Sequence, residues 1–437
     1  MRQTLFYIPT EINGVPLFGF GVLLAVWAVA AVAIIGYLVR KQGFNAETRA
    51  YLPVLGLLGI FIYGLPAIVG EEQGLPIRGY GVMLLIAVSS AVALLVHRAQ
   101  RRGYDAEMML SLSFWLFAAG IVGARLFYVI EYWDQQFHKE TLAETLKAVF
   151  NITQGGLVVF GSLIGGAVAA LIWIHKHRLP VLVMGDLMAP SIVLGMAIGR
   201  IGCFFNGCCF GDTCDLPWAV QFPWGSPPFM QQVEQGKLTL HGLRFAGVND
   251  DPAIIHSVEP GSLADRAGLE PGQKLERVIA QTGADQGGRE WKIESVADAH
   301  SALLHASKPG SELRLRVSGG DSATTQSIGW TLPDALPRAG PIHPTQIYSA
   351  IDAFLLFFVL LAYEPFQRRE GELLALMLTL HPISRFLLEV IRIDEASMFG
   401  TGLSISQLIS IAALAGAGIL WTYILRQPRR EVRPAPA

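Results

Sequence analysis

Apolar stretches of about 20 residues, enough to cross the hydrocarbon core of a bilayer, recur along most of the chain and alternate with short polar connections. They fall near 17 to 39, 51 to 70, 79 to 97, 107 to 130, 155 to 175, 184 to 204, 346 to 363, 372 to 391 and 404 to 425. Inside a bilayer every backbone polar group must be paired within the protein, which leaves helices or a closed barrel, and unbroken apolar runs select helices. The pattern predicts an all-α polytopic membrane helix bundle of about nine transmembrane helices. From about Leu238 to Leu332 the pattern changes to short apolar stretches broken by Gly and Pro, which predicts a small α+β domain, residues 238–333, inserted in one loop. There Ala253 to Val258, Leu275 to Ile279 and Glu312 to Val317 read as strands, Ala264 to Leu269 as a short helix and Val296 to Ala306 as an amphipathic one.

Composition sharpens this picture. Of 437 residues 52% are hydrophobic and only 16% charged, with a mean hydropathy of +0.43, whereas a soluble domain is roughly a quarter charged. A soluble enzyme is excluded. Lys+Arg 33 against Asp+Glu 35 leaves no basic face for nucleic acid, so lipids or membrane proteins are the expected partners. Basic residues mark every second connection: Arg40, Lys41 and Arg49; Arg98, Arg101 and Arg102; Lys176 and Arg178; Arg368 and Arg369; then Arg426, Arg429, Arg430 and Arg433. By the positive-inside rule these face the cytoplasm, and the N-terminus, the loop with Glu71 and Glu72, the 131–154 loop and the 205–345 segment lie outside. Met1 to Asn13 has no basic region followed by an apolar one, so the first span is expected to remain as an anchor.

A repeat runs at a spacing of 60 residues. Gly14, Pro16, Gly19, Gly21, Val22 and Leu24 recur as Gly74, Pro76, Gly79, Gly81, Val82 and Leu84, and Gly43-Phe44-Asn45-Ala46-Glu47 as Gly103-Tyr104-Asp105-Ala106-Glu107. Residues 1–72 read as an extra two-helix unit, a parallel duplicate of the next pair. The remaining layout is 73–230 and 340–426 as two parts of a membrane domain around the 238–333 insert, with 427–437 a basic cytoplasmic tail.

Within the insert, Val258-Glu259-Pro260-Gly261-Ser262-Leu263-Ala264-Asp265-Arg266-Ala267-Gly268-Leu269-Glu270-Pro271-Gly272-Gln273 resembles the PDZ domains of bacterial envelope proteases. The resemblance implies capture of a peptide tail by strand addition at an exposed sheet edge; the alternative is a spacer that binds nothing.

Charges within the spans are few, and each costs roughly 2.5 to 3.5 kcal/mol at a helix centre on insertion scales, so they mark function or structural pairing. They are Arg125, Asp186, Arg200 and the set Arg385, Glu389 and Arg392, whose spacings of 4 and 3 put them on one helical face. The set reads either as a salt-bridge ladder or, joined by Arg200, as a phosphate site, because planar guanidinium donors match two oxygens at once and keep their charge.

Gly199-Arg200-Ile201-Gly202-Cys203-Phe204-Phe205-Asn206-Gly207 resembles the signature of the prolipoprotein diacylglyceryl transferase family. In the same order Arg78-Gly79-Tyr80-Gly81 resembles the start of the family's first helix, and Gly155-Gly156-Leu157 through Gly161-Ser162-Leu163-Ile164-Gly165 its Gly-rich loop. Asp186-Leu187-Met188-Ala189-Pro190 is similar to the opening of the next helix, His343-Pro344-Thr345-Gln346-Ile347-Tyr348 to a His-Pro-Ser-Gln-Leu-Tyr motif, and the Arg385 to Arg392 stretch to an Arg-x-x-x-Glu-x-x-Arg helix. The resemblance spans about 74 to 225 and 340 to 425; the first two spans and the insert lie outside it. It implies a bacterial inner-membrane transferase acting on phosphatidylglycerol and preprolipoprotein lipobox segments, with no cofactor or metal. Arg200, Arg385, His343, Tyr348 and Glu389 are then the expected catalytic residues. Arg200, Tyr80, Arg78, Asp186, Asn206, Gly207, Gln346 and Arg392 are expected to bind substrate.

Three positions depart from the family pattern. The loop histidine is Phe160, the signature Asn is Cys203, and the acid that often follows Asn-Gly is Cys208. His343 then becomes the candidate base, with capping of the helix after Pro344 as its other reading. Cys203, Cys208, Cys209 and Cys214 are the only cysteines; outside the cytoplasm disulfides are expected, with zinc or free thiols as alternatives. A catalytically silent scaffold presenting the insert is the rival to the transferase, and a transporter is disfavoured by the parallel repeat.

Overall fold

A computed structural model of the chain describes residues 4–12, 14–44, 46–68, 74–138, 141–151, 158–247, 250–281, 288–319, 325–392 and 402–429. Two compact units divide it, Met1–Val82 and Met83–Ala437. In the first, strands β1 (Thr4–Ile8) and β4 (Leu75–Arg78) pair antiparallel and β2 (Glu11–Ile12) turns back on β3 (Val15–Pro16). Helices α1 (Val22–Gln42) and α2 (Ala46–Ile68) cross so closely that a Cβ on Gly59 would lie 2.6 Å from the Trp27 ring. The unit ends in the first turn of α3 (Gly79–Arg101). Helices α2 and α4 (Ala106–Glu131) begin 60 residues apart, and the turns before them use Gly43 and Gly103 at φ 77° and 82°, so the repeated sequence carries a repeated left-handed turn.

The second unit continues through a π-helical turn (Trp133–Phe137), α5 (Leu142–Phe150), α6 (Val159–Lys176), α7 (Val181–Asn206) and α8 (Pro227–Glu234). Next come β5 (Leu243–Phe245), β6 (Ile255–Val258), α9 (Leu263–Arg266), β7 (Lys274–Gln281), β8 (Arg289–Lys292), α10 (Val296–Ala306), β9 (Glu312–Ser318) and β10 (Gln326–Thr331), and the chain closes with α11 (Thr345–Tyr363), α12 (Glu372–Glu389) and α13 (Ile405–Arg426). Among the described residues seven helices are long and apolar enough to cross a membrane: α1, α3, α4, α6, α7, α11 and α13. The count expected from the sequence was nine; α2 and α12 form as helices but are not among the seven, and α12 is interrupted by Glu372, His381, Arg385 and Glu389.

Helices α4 and α6 touch backbone to backbone. A Cβ on Gly161 would come 2.3 Å from the Gly123 carbonyl oxygen and one on Gly165 2.4 Å from that of Ala119, the close approach that small residues four apart permit in membranes. Gly161 to Gly165, similar to the family's Gly-rich loop, lie within the helix expected near 155 to 175, where their flat face lets α4 approach. Gly155, Gly156 and Leu157 fall outside the described residues.

At one end of the bundle the buried Arg98 donates to the backbone carbonyls of Asp186 (3.1 Å) and Leu187 (2.9 Å) and pairs with Glu364 at 2.8 Å, which Arg102 also reaches. This joins the last turn of α3, the second turn of α7 and the end of α11. The start of α12 joins them through Asp186, and Arg369 ties it to α13 by donating to the Gln427 carbonyl. The ends of α7 and α12 and the starts of α11 and α13 meet at the opposite end, as alternating spans require.

In the insert, β10-β9-β7-β8 form an antiparallel sheet, β5 and β6 pair separately, and the apolar face of α10 is buried. The strands and helices expected there are present, together with β5, β8 and β10, which were not. Its core takes in Phe210, Phe222 and Phe229 before, and Ala339 and Ile342 after, the expected 238–333. This core extends past those residues because the segments entering and leaving it hydrogen-bond to each other: Ala339 N–H donates to the Phe222 carbonyl and Ile342 N–H to that of Val220. His241 lies in this core near the rings of Trp224 and Trp330, and its Nε2 is 2.7 Å from the Ser307 hydroxyl. Burial pulls the His241 imidazole down to about 4.

Candidate active site

The site is built where α7 ends. Gly207 takes φ 76° and returns its N–H to the Cys203 carbonyl, stopping the helix. A second reversal at Cys209, φ 59°, costs a residue with a Cβ on the order of 1–2 kcal/mol, and the start of α11 holds it. Gln346 Nε2 donates to the Cys208 carbonyl and Thr345 Oγ1 to that of Cys209, each at 2.6 Å. The chain then lies between two partners: Gly211 N–H donates to the His343 carbonyl, and Asp212 N–H to that of Ile391. A Cβ on Gly211 would meet His343 Cβ at 2.7 Å, so glycine alone fits this three-way seam. Seam and clamp bring the signature of α7, the His-Pro-Thr-Gln turn and the end of α12 into one place.

On α12 the Arg385 guanidinium meets Glu389 at 2.7 Å and donates to the Ser406 hydroxyl at 2.8 Å, while Arg392 reaches the same carboxylate oxygen at 3.4 Å. Glu389 is buried between two arginines. Arg200, half-buried on α7, acts electrostatically on Cys209 together with Arg392, and on His381 together with Arg385. The arginines expected to converge therefore bear on common neighbours, and among the described residues Arg200 makes no hydrogen bond or ion pair. The Cys203, Cys208 and Cys209 sulfurs lie within 4.8 Å of one another. Hydrogen bonds from the Cys203 and Cys208 thiols, followed by the charges of Arg200 and Arg392, hold the Cys209 thiol well below its usual range. All four cysteines are free, contrary to the disulfides expected; their positions at a helix end and a tight turn gather three sulfurs and leave Cys214 out of the group.

Other expected residues have different places. Tyr348 Oη accepts from Trp218 Nε1 at 2.7 Å and lies 3.4 Å from His343 Nδ1. Gln346 is fully buried and its amide N–H holds the Cys208 carbonyl, which shapes the turn. Asn206 bonds to the Cys208 thiol. Arg78 closes β4 opposite Thr4, and Tyr80, 40% exposed, stands in the first turn of α3; both belong to the first unit. Asp186 caps α12. Fourteen residues before Arg200, about 21 Å along the helix, its carboxylate accepts from Gly371 N–H at 2.6 Å, Leu374 N–H at 3.1 Å and the Gln367 amide. An orphan helix N-terminus takes this acid as its cap. Arg125 is likewise structural in its contacts, donating to the carbonyls of Ala148, Val149 and Asn151 at the end of α5.

Sequence reasoning missed His381, Ser406 and Trp218. His381 was within reach: it stands four residues before Arg385 and continues the stripe to Glu389. Ser406 and Trp218 gave no periodic signal, since each meets its partner across the fold.

A family model for prolipoprotein diacylglyceryl transferase matches residues 66–423. The phosphatidylglycerol–prolipoprotein diacylglyceryl transferase of Rhodopirellula baltica is 34% identical over 95% of this chain and 88% of its own length. Those of Trichormus variabilis and Clostridium tetani are 38% and 37% identical over 37% and 35% of this chain, and over 56% and 58% of their own. Matched by the family model over residues 66–423 and by a relative covered over 88% of its length, the chain belongs to the prolipoprotein diacylglyceryl transferase family.

Proposed function

We propose that the chain transfers the diacylglyceryl group of phosphatidylglycerol to the lipobox cysteine thiol of preprolipoproteins, the first step of bacterial lipoprotein maturation. The observation that carries this reading is Arg200, a half-buried cation with no ion-pair partner among the described residues, sharing its surroundings with Arg385. A phosphodiester is the anion it suits. The thiol sulfur attacks the glyceryl carbon, the S–C bond forms, and the C–O bond breaks with its electron pair leaving on glycerol phosphate. Arg200 and Arg385 stabilise the growing phosphate charge. Glu389 positions Arg385 and Arg392, Tyr348 orients the glyceryl group with Trp218, and His343 accepts the thiol proton. Asn206 and Gly207, at the end of α7, complete the substrate surface of this unit.

The remaining reading follows the same logic. The chain spans the membrane nine times, with the N-terminus and insert periplasmic and the C-terminus cytoplasmic; the gathering of Arg98, Arg102 and Arg369 at the end opposite Arg200 supports this sidedness. The insert is PDZ-like and takes a peptide tail at a sheet edge. Phe160 in place of the family histidine favours one alternative, an inactive scaffold. Purified full-length protein given phosphatidylglycerol and a lipobox peptide should form a thioether-linked product. No product, alongside an active control transferase, refutes the transferase reading in favour of the scaffold.

A further inference from the structure

Three of the four cysteines form a group that the transfer reaction as written above does not use. Cys203 sits in the last turn of α7, Cys208 follows the left-handed Gly207, and Cys209 is itself left-handed at φ 59°. Their sulfurs lie within 4.8 Å of one another. Thiolates sharing one tetrahedral zinc at about 2.3 Å stand about 3.8 Å apart, so small side-chain rotations would complete the contact. The turn is braced for this. The carbonyls of Cys208 and Cys209 are each held at 2.6 Å by Gln346 and Thr345, and backbone strain of this kind persists where its surroundings over-determine it. Cys214 is outside the group; its N–H is spent on the Pro341 carbonyl.

We propose that Cys203, Cys208 and Cys209 bind one zinc ion whose fourth position is left open for the lipobox thiolate. Structural zinc sites close with four protein ligands, whereas catalytic ones keep three and an exchangeable position. The inference rests on the transferase reading, in which a substrate sulfur must be a nucleophile a short distance from Arg200. Zinc binding releases three thiol protons to solvent and forms three Zn–S bonds. The lipobox thiol adds a fourth as its proton passes to His343, a coordinating thiol being deprotonated outright. That sulfur then forms the S–C bond, the glycerol phosphate oxygen leaves with the C–O electron pair, and the neutral thioether dissociates from zinc. Zinc undergoes no redox change in any of these steps.

The test is metal analysis of the full-length protein purified in detergent. Wild type and C214S should each carry about one zinc per chain, and C203S, C208S and C209S less than a tenth of that. Cobalt-loaded wild type should show thiolate-to-cobalt charge-transfer absorption that rises when a lipobox peptide is added and stays fixed with its Cys→Ser analogue. No stoichiometric zinc, copper in its place, a disulfide among the three, or an unresponsive cobalt spectrum overturns the proposal. Metal-stripped protein that still forms the thioether at full rate refutes the zinc role and leaves the transferase reading standing. Zinc bound with no thioether formed refutes the transferase reading, and with it the catalytic role of the zinc, and leaves only the three-cysteine metal site.

Discussion

Glu389 lies one helical turn beyond Arg385 and holds its guanidinium at 2.7 Å while being only 5% exposed. Removing one partner of a buried pair strands the other's charge, at roughly 3–5 kcal/mol, and here two arginines share the carboxylate. Glu389→Gln should lower the melting temperature of the detergent-solubilised protein and cut activity per folded molecule. An unchanged melt would show that Arg385 and Arg392 find other anions.

Among the described residues Arg200 has no such partner to strand. Arg200→Ala should leave the melt near wild type and slow diacylglyceryl transfer about 100- to 1,000-fold, the scale of losing one transition-state donor. Arg200→Lys should recover only part of the rate, since an ammonium cannot bind two phosphate oxygens in one plane.

Asp186 separates structure from chemistry. Fully buried, it accepts from three donors at the start of α12. Asp186→Ala should cost about 3 kcal/mol or more of stability while the surviving folded protein keeps its KM for phosphatidylglycerol. A raised KM with an unchanged melt would restore the substrate-binding role expected from the sequence.

His241 sets a pH dependence in the insert. Its folded value of about 4 lies below the ordinary 6.5, so between these limits the unfolded chain binds the extra proton and stability rises with pH. The contribution is complete above about pH 6.5 and disappears as pH falls toward 4, a span worth about 3 kcal/mol. Unfolding of the insert, followed by Trp224 and Trp330 fluorescence, should weaken across that window, and His241→Phe should flatten the dependence.

Gly161 tests the α4–α6 crossing. A Cβ there would stand 2.3 Å from the Gly123 oxygen and 2.5 Å from Phe127 Cβ, so Gly161→Ala must push the helices apart. Overpacking of this kind costs about 1–3 kcal/mol, visible as a lower melting temperature. Ala at Gly36, where nothing lies within 4 Å, should have little effect.

Much of this architecture was legible from the chain itself. A span expected at 107 to 130 is the helix Ala106–Glu131, and the insert helix runs over Val296–Ala306 as read, because continuous apolarity and 3.6-residue periodicity are local signals. The Arg385, Glu389, Arg392 stripe was legible for the same reason. Contacts between distant elements were not. Asp186 reads as an intramembrane charge, but only the fold brings Gly371 and Leu374 to it. The cysteines read as disulfide candidates from their clustering, while their grouping depends on two left-handed residues and on side chains more than 130 positions away. Strands β8 and β10 escaped because their alternation is weak, and pairing with β7 and β9 sets their register.

The hydrogen bond from Ala339 to Phe222, with Ile342 bonded to Val220 just beyond it, brings the two necks of the insert side by side. A segment rooted in this way leaves and re-enters the bundle at one point, and Phe204 of α7 packs against its core and the Phe222 ring, so the insert and that helix share a wall. The seam at Gly211 and His343 lies between that root and the helices α7 and α11, so the insert and the candidate site are carried on the same two stretches of chain.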